Sequence, residues 1–130
     1  MNGTEQPVVV FEHVCKRYGN GTLGLNDVTF SVYPGEFIAV IGPSGAGKST
    51  LLRSVNKLHD VTEGRILIGG EDISKARGSR LRTLRRQIGM IFQNYNLVYR
   101  LSVLQNVLHG RLGYMGSLQG MIGRTVPGRR

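Results

Sequence analysis

Between an apolar run, EFIAVI at residues 36–41, and a helical pattern beginning at Lys48 lies Gly42-Pro43-Ser44-Gly45-Ala46-Gly47-Lys48-Ser49. This octapeptide fits G-x-x-x-x-G-K-[ST], a spacing with a physical rationale. Glycines let the backbone curl until consecutive N–H groups face one anion, with no Cβ in the way. A helix starting near Lys48 adds the positive end of its dipole. Lys48 then offers a mobile cation to the β- and γ-phosphates of a nucleotide, and the Ser49 hydroxyl a hard oxygen to Mg²⁺. Ser44 is a loop residue rather than a nucleophile, because the G-x-S-x-G frame fails at Ala46. A loop that leaves a buried strand and enters a helix restricts the chain to an α/β arrangement.

The flanking text supports that class. Residues 8–14 (VVVFEHV) and 27–33 (DVTFSVY) alternate apolar and polar side chains and predict two strands. YGNGT at 18–22 is a loop by composition, and Pro34-Gly35 a turn. Residues 36–41 read as a strand buried on both faces, as in a parallel sheet, and residues 88–92 (IGMIF) as another. Leu51, Leu52, Val55 and Leu58 give residues 48–58 a helical apolar face. Residues 65–68 form a further strand, closed by Gly69-Gly70. A helix is expected over 79–87, with Leu81 and Leu84 inward and Arg82, Arg85 and Arg86 outward. Ser102-Val103-Leu104-Gln105 is a capping box opening a helix with Val103, Leu104, Val107 and Leu108 on its apolar face; Gly110 ends it. From Met115 onward the chain is glycine-rich and aperiodic.

From about residue 8 to residue 114 the text resembles the nucleotide-binding domain of ABC transporters. GPSGAGKSTLLR at 42–53 is the Walker A loop as that family writes it, and EGRILIGGEDI at 63–73 is similar to the strand pair that follows. IGMIFQ at 88–93 resembles the strand leading into the Q-loop. The resemblance implies a P-loop NTPase core with a mostly parallel sheet and an N-terminal antiparallel β subdomain. It implies ATP and Mg²⁺ as cofactors, with nucleotide contacts at Tyr18, Gly42, Pro43, Ser44, Gly45, Ala46, Gly47, Lys48, Ser49, Thr50 and Gln93. Ser49 and Gln93 are the implied metal ligands, and Lys48 and Gln93 contribute to a catalytic set that is not complete here. Tyr18 stands where the family places an aromatic that stacks on adenine; by itself it reads as an ordinary core or surface aromatic. Gln93 likewise rests on the family match, since an amide after a strand is commonly just a loop residue. The implied partners are membrane permease subunits, a second copy of the ATPase and, indirectly, a solute-binding protein, at the cytoplasmic face of the membrane. NYNLVYRLSVLQNVLHGRLGY at 94–114 is most similar to the ATP-binding subunits of phosphonate importers.

Charge is placed unevenly along the chain. The formal net charge is +9, yet residues 1–72 hold six basic and eight acidic side chains. Residues 73–130 hold eleven basic and no acidic ones. A basic half raises the alternative of a nucleic-acid-binding module with an incidental P-loop. Arg77, Arg80, Arg82, Arg85 and Arg86 have no interleaved aromatics to stack bases, so a solvated helix face is the better reading and no nucleic-acid partner is expected. A small-molecule kinase is a third alternative, without an identifiable acceptor site or lid. Phosphoryl transfer to water needs carboxylates to hold Mg²⁺ and orient the attacking water. None follows Asp72, and no Leu-Ser-Gly-Gly-Gln signature or switch histidine is present. The expectation is therefore an N-terminal part of an ABC domain over 1–114, truncated before the Walker B strand and inactive in hydrolysis alone. Residues 115–130 are expected to be a disordered or frame-shifted tail.

Cys15 excludes an intramolecular disulfide and a cysteine-based zinc site, which agrees with a cytosolic setting. The first seven residues lack the pattern of a secretory signal, and no apolar stretch predicts a membrane span. His13 and His59 lack metal-ligand spacing and are given no role; His109 is expected at a helix end.

Overall fold

The two alternating segments form a hairpin. In the computed structural model, which describes residues 5–93 and 96–110, β1 (Val9–Arg17) pairs antiparallel with β2 (Leu23–Val32). The connecting turn is closed by Tyr18 N–H to Thr22 O and Gly21 N–H to Tyr18 O, both at 2.9 Å. β3 (Glu63–Ile68) lies antiparallel along the other side of β1, and β4 (Glu71–Asp72) folds back on it through Gly69-Gly70. The sheet order is β2-β1-β3-β4. This is the expected N-terminal antiparallel subdomain. Strand register explains its core: Phe11 stands opposite both Phe30 and Ile66, and the two phenyl rings stack with centroids 4.6 Å apart. Phe11, Val14, Ile66, Ile73 and Leu84 are almost fully buried, each contributing about 1.5–3 kcal/mol of apolar transfer. On the open side of the β1–β3 ladder, Glu12 faces Arg65, and the carboxylate hydrogen bond holds the guanidinium above its ordinary pKa.

Two helices pack on this core. α1 (Lys48–Val55) turns Leu51 and Val55 toward it, and α2 (Gly78–Arg85) contributes Leu84 fully and Leu81 in part. The helix expected over 48–58 stops three residues early, leaving Leu58 beyond its end and about half exposed; Leu52, within α1, is about half exposed as well. The cause of the early stop is Lys57, which takes φ +55° and buries its side chain. Its ammonium donates to Ser74 O at 2.6 Å and Ala76 O at 3.1 Å, with the Asp60 carboxylate 3.5 Å away. From the other direction Arg85 donates through Nε to Asn56 O at 2.9 Å and through Nη2 to Lys57 O at 2.8 Å. Arg85 is thus a cap for the end of α1, not simply one of an outward row. Truncating Lys57 to alanine removes a buried donor from two carbonyls and its packed stem. We expect a loss of about 2–4 kcal/mol in urea unfolding, against no measurable change for Lys75→Ala, whose side chain is 85% exposed beside Asp72.

The expected strands at 36–41 and 88–92 are not found. Neither segment has a ladder among the described residues. Phe37, Ile41 and Ile91 are each more than nine-tenths exposed. A strand buried on both faces acquires its conformation from hydrogen-bonded neighbours on either side. No described segment supplies them. The antiparallel strands form because hairpin partners lie close in sequence.

The chain divides into two units, Met1–Ile88 and Gly89–Arg130. In the second, α3 (Val103–His109) has the predicted capping box: Gln105 N–H donates to Ser102 Oγ at 3.2 Å and Ser102 N–H to Gln105 Oε1 at 2.9 Å. Asn106 ties the preceding loop to the helix, accepting from Val98 N–H at 2.9 Å. Val103, Leu104, Val107 and Leu108 remain exposed. Gly110 ends the helix as expected. The tail expected over 115–130 lies outside the described residues. Among those described, no helix is long and apolar enough to cross a membrane.

Candidate functional site

The glycine-rich loop adopts the geometry its composition predicts. Gly45 and Gly47 have φ +81° and +84°, and Ala46 N–H donates to Pro43 O at 3.3 Å to close the turn. Gly47 is the N-cap of α1, whose first intrahelical bond is Leu51 N–H to Gly47 O at 2.9 Å. The amides just before that bond have no carbonyl one turn earlier, so they are free to meet an anion. No acidic side chain occupies the first turn of α1 to offset that positive end.

The loop rests on β2. A Cβ at Gly47 would stand 2.2 Å from Gly24 O, so the loop backbone is in direct contact with the strand backbone. Glycine is required there for both its dihedral and its size. Lys48 reaches back across the loop, its ammonium donating to Gly42 O and Pro43 O at 2.6 Å each. An ammonium has three donors, so the same amine can keep these carbonyls and meet a phosphate oxygen. Ser49 is exposed on the first turn beside it, where its hydroxyl can serve a cation that a phosphate also holds. A cleft of about 370 Å³ opens alongside, walled by Gly45–Lys48, Val40 and the Leu23–Asn26 stretch of β2. The cleft is lined largely by apolar side chains, Leu23, Leu25, Val28, Val40 and Leu51 among them; the groups suited to a phosphate chain and Mg²⁺ are those of the loop itself, the start of α1, Lys48 and Ser49.

Tyr18 does not line this cleft, but Gly24 connects the two. Gly24 borders the cleft, and a Cβ there would lie 2.7 Å from Tyr18 Cε2. The half-buried ring has Lys16 Nζ 5.3 Å from its centroid. Its hydroxyl bonds Thr50 Oγ1 at 2.9 Å and His59 Nδ1 at 3.3 Å. Thr50 is therefore buried with its hydroxyl turned to Tyr18. The structure thus brings together Tyr18, residues 42–48, Ser49 and Thr50. Gln93 belongs to the second unit, where it is exposed at a turn. His59 had no assigned role, and no sequence signal marks it: the contact spans 41 positions.

The remaining candidates are local. Cys15 is half-buried, with Sγ accepting from Asp27 N–H at 3.2 Å. His13 and Asp27 form an exposed pair at 2.8 Å. Among the described residues, no three acidic, histidine or cysteine side chains are placed to hold a metal on their own. Arg80 pairs with Glu71 at 2.9 Å and Arg85 caps α1, so the arginine row is partly engaged within the fold.

The sequence model of the family described as ABC transporter matches residues 25–126. The chain belongs to the ABC transporter family. It is 56% identical over 116 residues to the phosphonates import ATP-binding protein PhnC of Bacillus thuringiensis subsp. konkukian, covering 89% of this chain and 45% of that protein. It is 58% identical over 113 residues to PhnC 2 of Halalkalibacterium halodurans, covering 87% and 46%. Among solved structures, a bacterial ABC transporter cassette in dimeric form superposes with a TM-score of 0.75 at 34% identity, covering 87% of this chain and 51% of that one. The same cassette in a post-hydrolysis state with ADP and Pi gives 0.71 at 32% identity, covering 86% and 52%. The chain thus spans about half the length of the relatives it matches. In this chain the glycine-rich loop 42–49 is carried on a formed β subdomain.

Proposed function

We propose that this chain is the nucleotide-binding front part of the ATP-binding subunit of an ABC importer, with phosphonate as the solute. The observation that carries the reading is the loop 42–49, set on β2 and opening α1, with Lys48 drawn across it. In this reading Gly42, Pro43, Ser44, Gly45, Ala46 and Gly47 surround the triphosphate with the backbone N–H of Thr50, whose hydroxyl is turned to Tyr18; Lys48 neutralises the outer phosphates, and Tyr18 carries the adenine. Ser49 would hold Mg²⁺, which when bound would supply charge neutralisation to the phosphates; Gln93, the other metal ligand the resemblance implies, lies in the second unit. The likeness to PhnC proteins supports phosphonate as the transported solute. The dimeric form of the similar cassette supports pairing with a second copy. Permease subunits and a solute-binding protein complete the proposed assembly, with the chain at the cytoplasmic face of the membrane.

Binding and hydrolysis separate in this chain. Asp60 faces Lys57, Glu71 pairs with Arg80, and Asp72 accepts from Ser74 N–H at 2.9 Å; residues 73–130 contain no carboxylate side chain. Three of the four acids between the loop and residue 73, Asp60, Glu71 and Asp72, are thus engaged in the fold. We expect the purified 130-residue chain to bind MgATP without turning it over, measured as phosphate release over hours. A steady release that disappears with Lys48→Ala would refute this.

A further inference from the structure

We propose that His59 is a positioning residue for adenine recognition, acting through the Tyr18 hydroxyl. The proposal rests on the reading that Tyr18 carries the base, and deepens it. Two stretches, the first turn of α1 and the segment after α1, 32 and 41 positions along the chain, meet on the phenol that follows β1. Thr50 Oγ1 lies 2.9 Å from the hydroxyl and His59 Nδ1 3.3 Å from it. The imidazole also stands edge-on to the ring, at 90° with centroids 6.0 Å apart. A tyrosine ring has two side-chain torsions, and a bond at its far end removes the freedom a bare phenyl would keep. Gly24 lies against the Cε2 edge and would not admit a Cβ. The plane of the ring is therefore set by His59 and Thr50 from one end and Gly24 from one side.

The consequence is mechanical. Thr50 follows Ser49 and Lys48 on the first turn of α1, so the bond from Tyr18 ties the base platform to the phosphate loop at a fixed spacing. His59 is itself held to α1, its N–H donating to Arg53 O at 3.2 Å. A ligand that offers both a base and a phosphate chain gains from that spacing; one that offers only phosphates does not.

The test compares magnesium complexes of ATP and tripolyphosphate on the full chain by calorimetry, with wild type, His59→Ala, His59→Gln and Tyr18→Ala. His59→Ala is expected to weaken ATP binding about three- to tenfold while tripolyphosphate changes less than about twofold. His59→Gln, whose amide can still reach the hydroxyl, is expected to recover most of the ATP affinity. Equal losses for both ligands in His59→Ala would show a merely structural role and overturn the proposal. So would unchanged ATP affinity in His59→Ala while Tyr18→Ala loses it, leaving the base-platform reading intact. If Tyr18→Ala itself does not separate the two ligands, the platform reading falls, and the proposal with it.

Discussion

Replacing Lys48 by alanine is expected to weaken MgATP binding about ten- to hundredfold, with the fold unchanged. The magnitude follows from the bonds at stake. A hydrogen bond from a charged donor contributes about 1.5–3 kcal/mol, and each 1.4 kcal/mol is a factor of ten in affinity. The fold should survive because the two carbonyls that Lys48 meets are not deeply buried: Gly42 is half-buried and Pro43 exposed, so water can replace the ammonium. Lys48→Arg separates charge from shape. Its planar fork keeps the positive charge but cannot place a compact ammonium over two carbonyls and a phosphate together, and an intermediate affinity is expected. Calorimetry with MgATP and a urea midpoint on each variant give both quantities. Unchanged ATP binding in Lys48→Ala would place the phosphates elsewhere. Salt-sensitive DNA binding untouched by the substitution would favour the basic-module alternative instead.

The shape of the glycine-rich loop was legible because its physics is local. Gly45, Gly47, Lys48 and Ser49 act within eight residues, and the helix they open begins at Lys48 as the pattern predicts. The same holds for the β1–β2 hairpin and for the Ser102–Gln105 capping box. What failed were features that depend on distant partners. Residues 36–41 and 88–92 have the composition of doubly buried strands, but composition states a requirement for neighbours without providing them. Lys57 is a second case. Nothing in LRSVNKLHD announces that one lysine will leave the helix and bury its amine against the carbonyls of Ser74 and Ala76. The bonds of Tyr18 to Thr50 and His59 are a third, since they require knowing that β1, α1 and the segment after it converge. The excess of basic groups reflects the lack of acids after Asp72, and Arg80 and Arg85 are partly engaged within the fold.

Within the loop, two glycines with nearly the same dihedral should respond very differently to alanine. Gly45 has φ +81° and open space where a Cβ would project. Gly45→Ala should therefore lose only the conformational term, about 1–2 kcal/mol. Gly47 has φ +84°, and its Cβ would stand 2.2 Å from Gly24 O. That neighbour is backbone in a paired strand, so it cannot rotate aside as a side chain would. Either the loop or β2 has to move, and α1 begins at the next residue. Gly47→Ala should cost at least about 3–4 kcal/mol, the dihedral term plus displacement of packed backbone. Urea unfolding of the two variants measures the difference, and equal midpoints would mean that the loop does not rest on β2. The three substitutions then separate the loop's two tasks. Lys48→Ala weakens binding in a folded chain, whereas Gly47→Ala weakens it by displacing the strand that supports the loop. Gly45→Ala fixes the cost of the dihedral alone. If nucleotide restores Gly47→Ala to the wild-type midpoint, the strand contact is a convenience of packing; if it does not, β2 is part of the phosphate site.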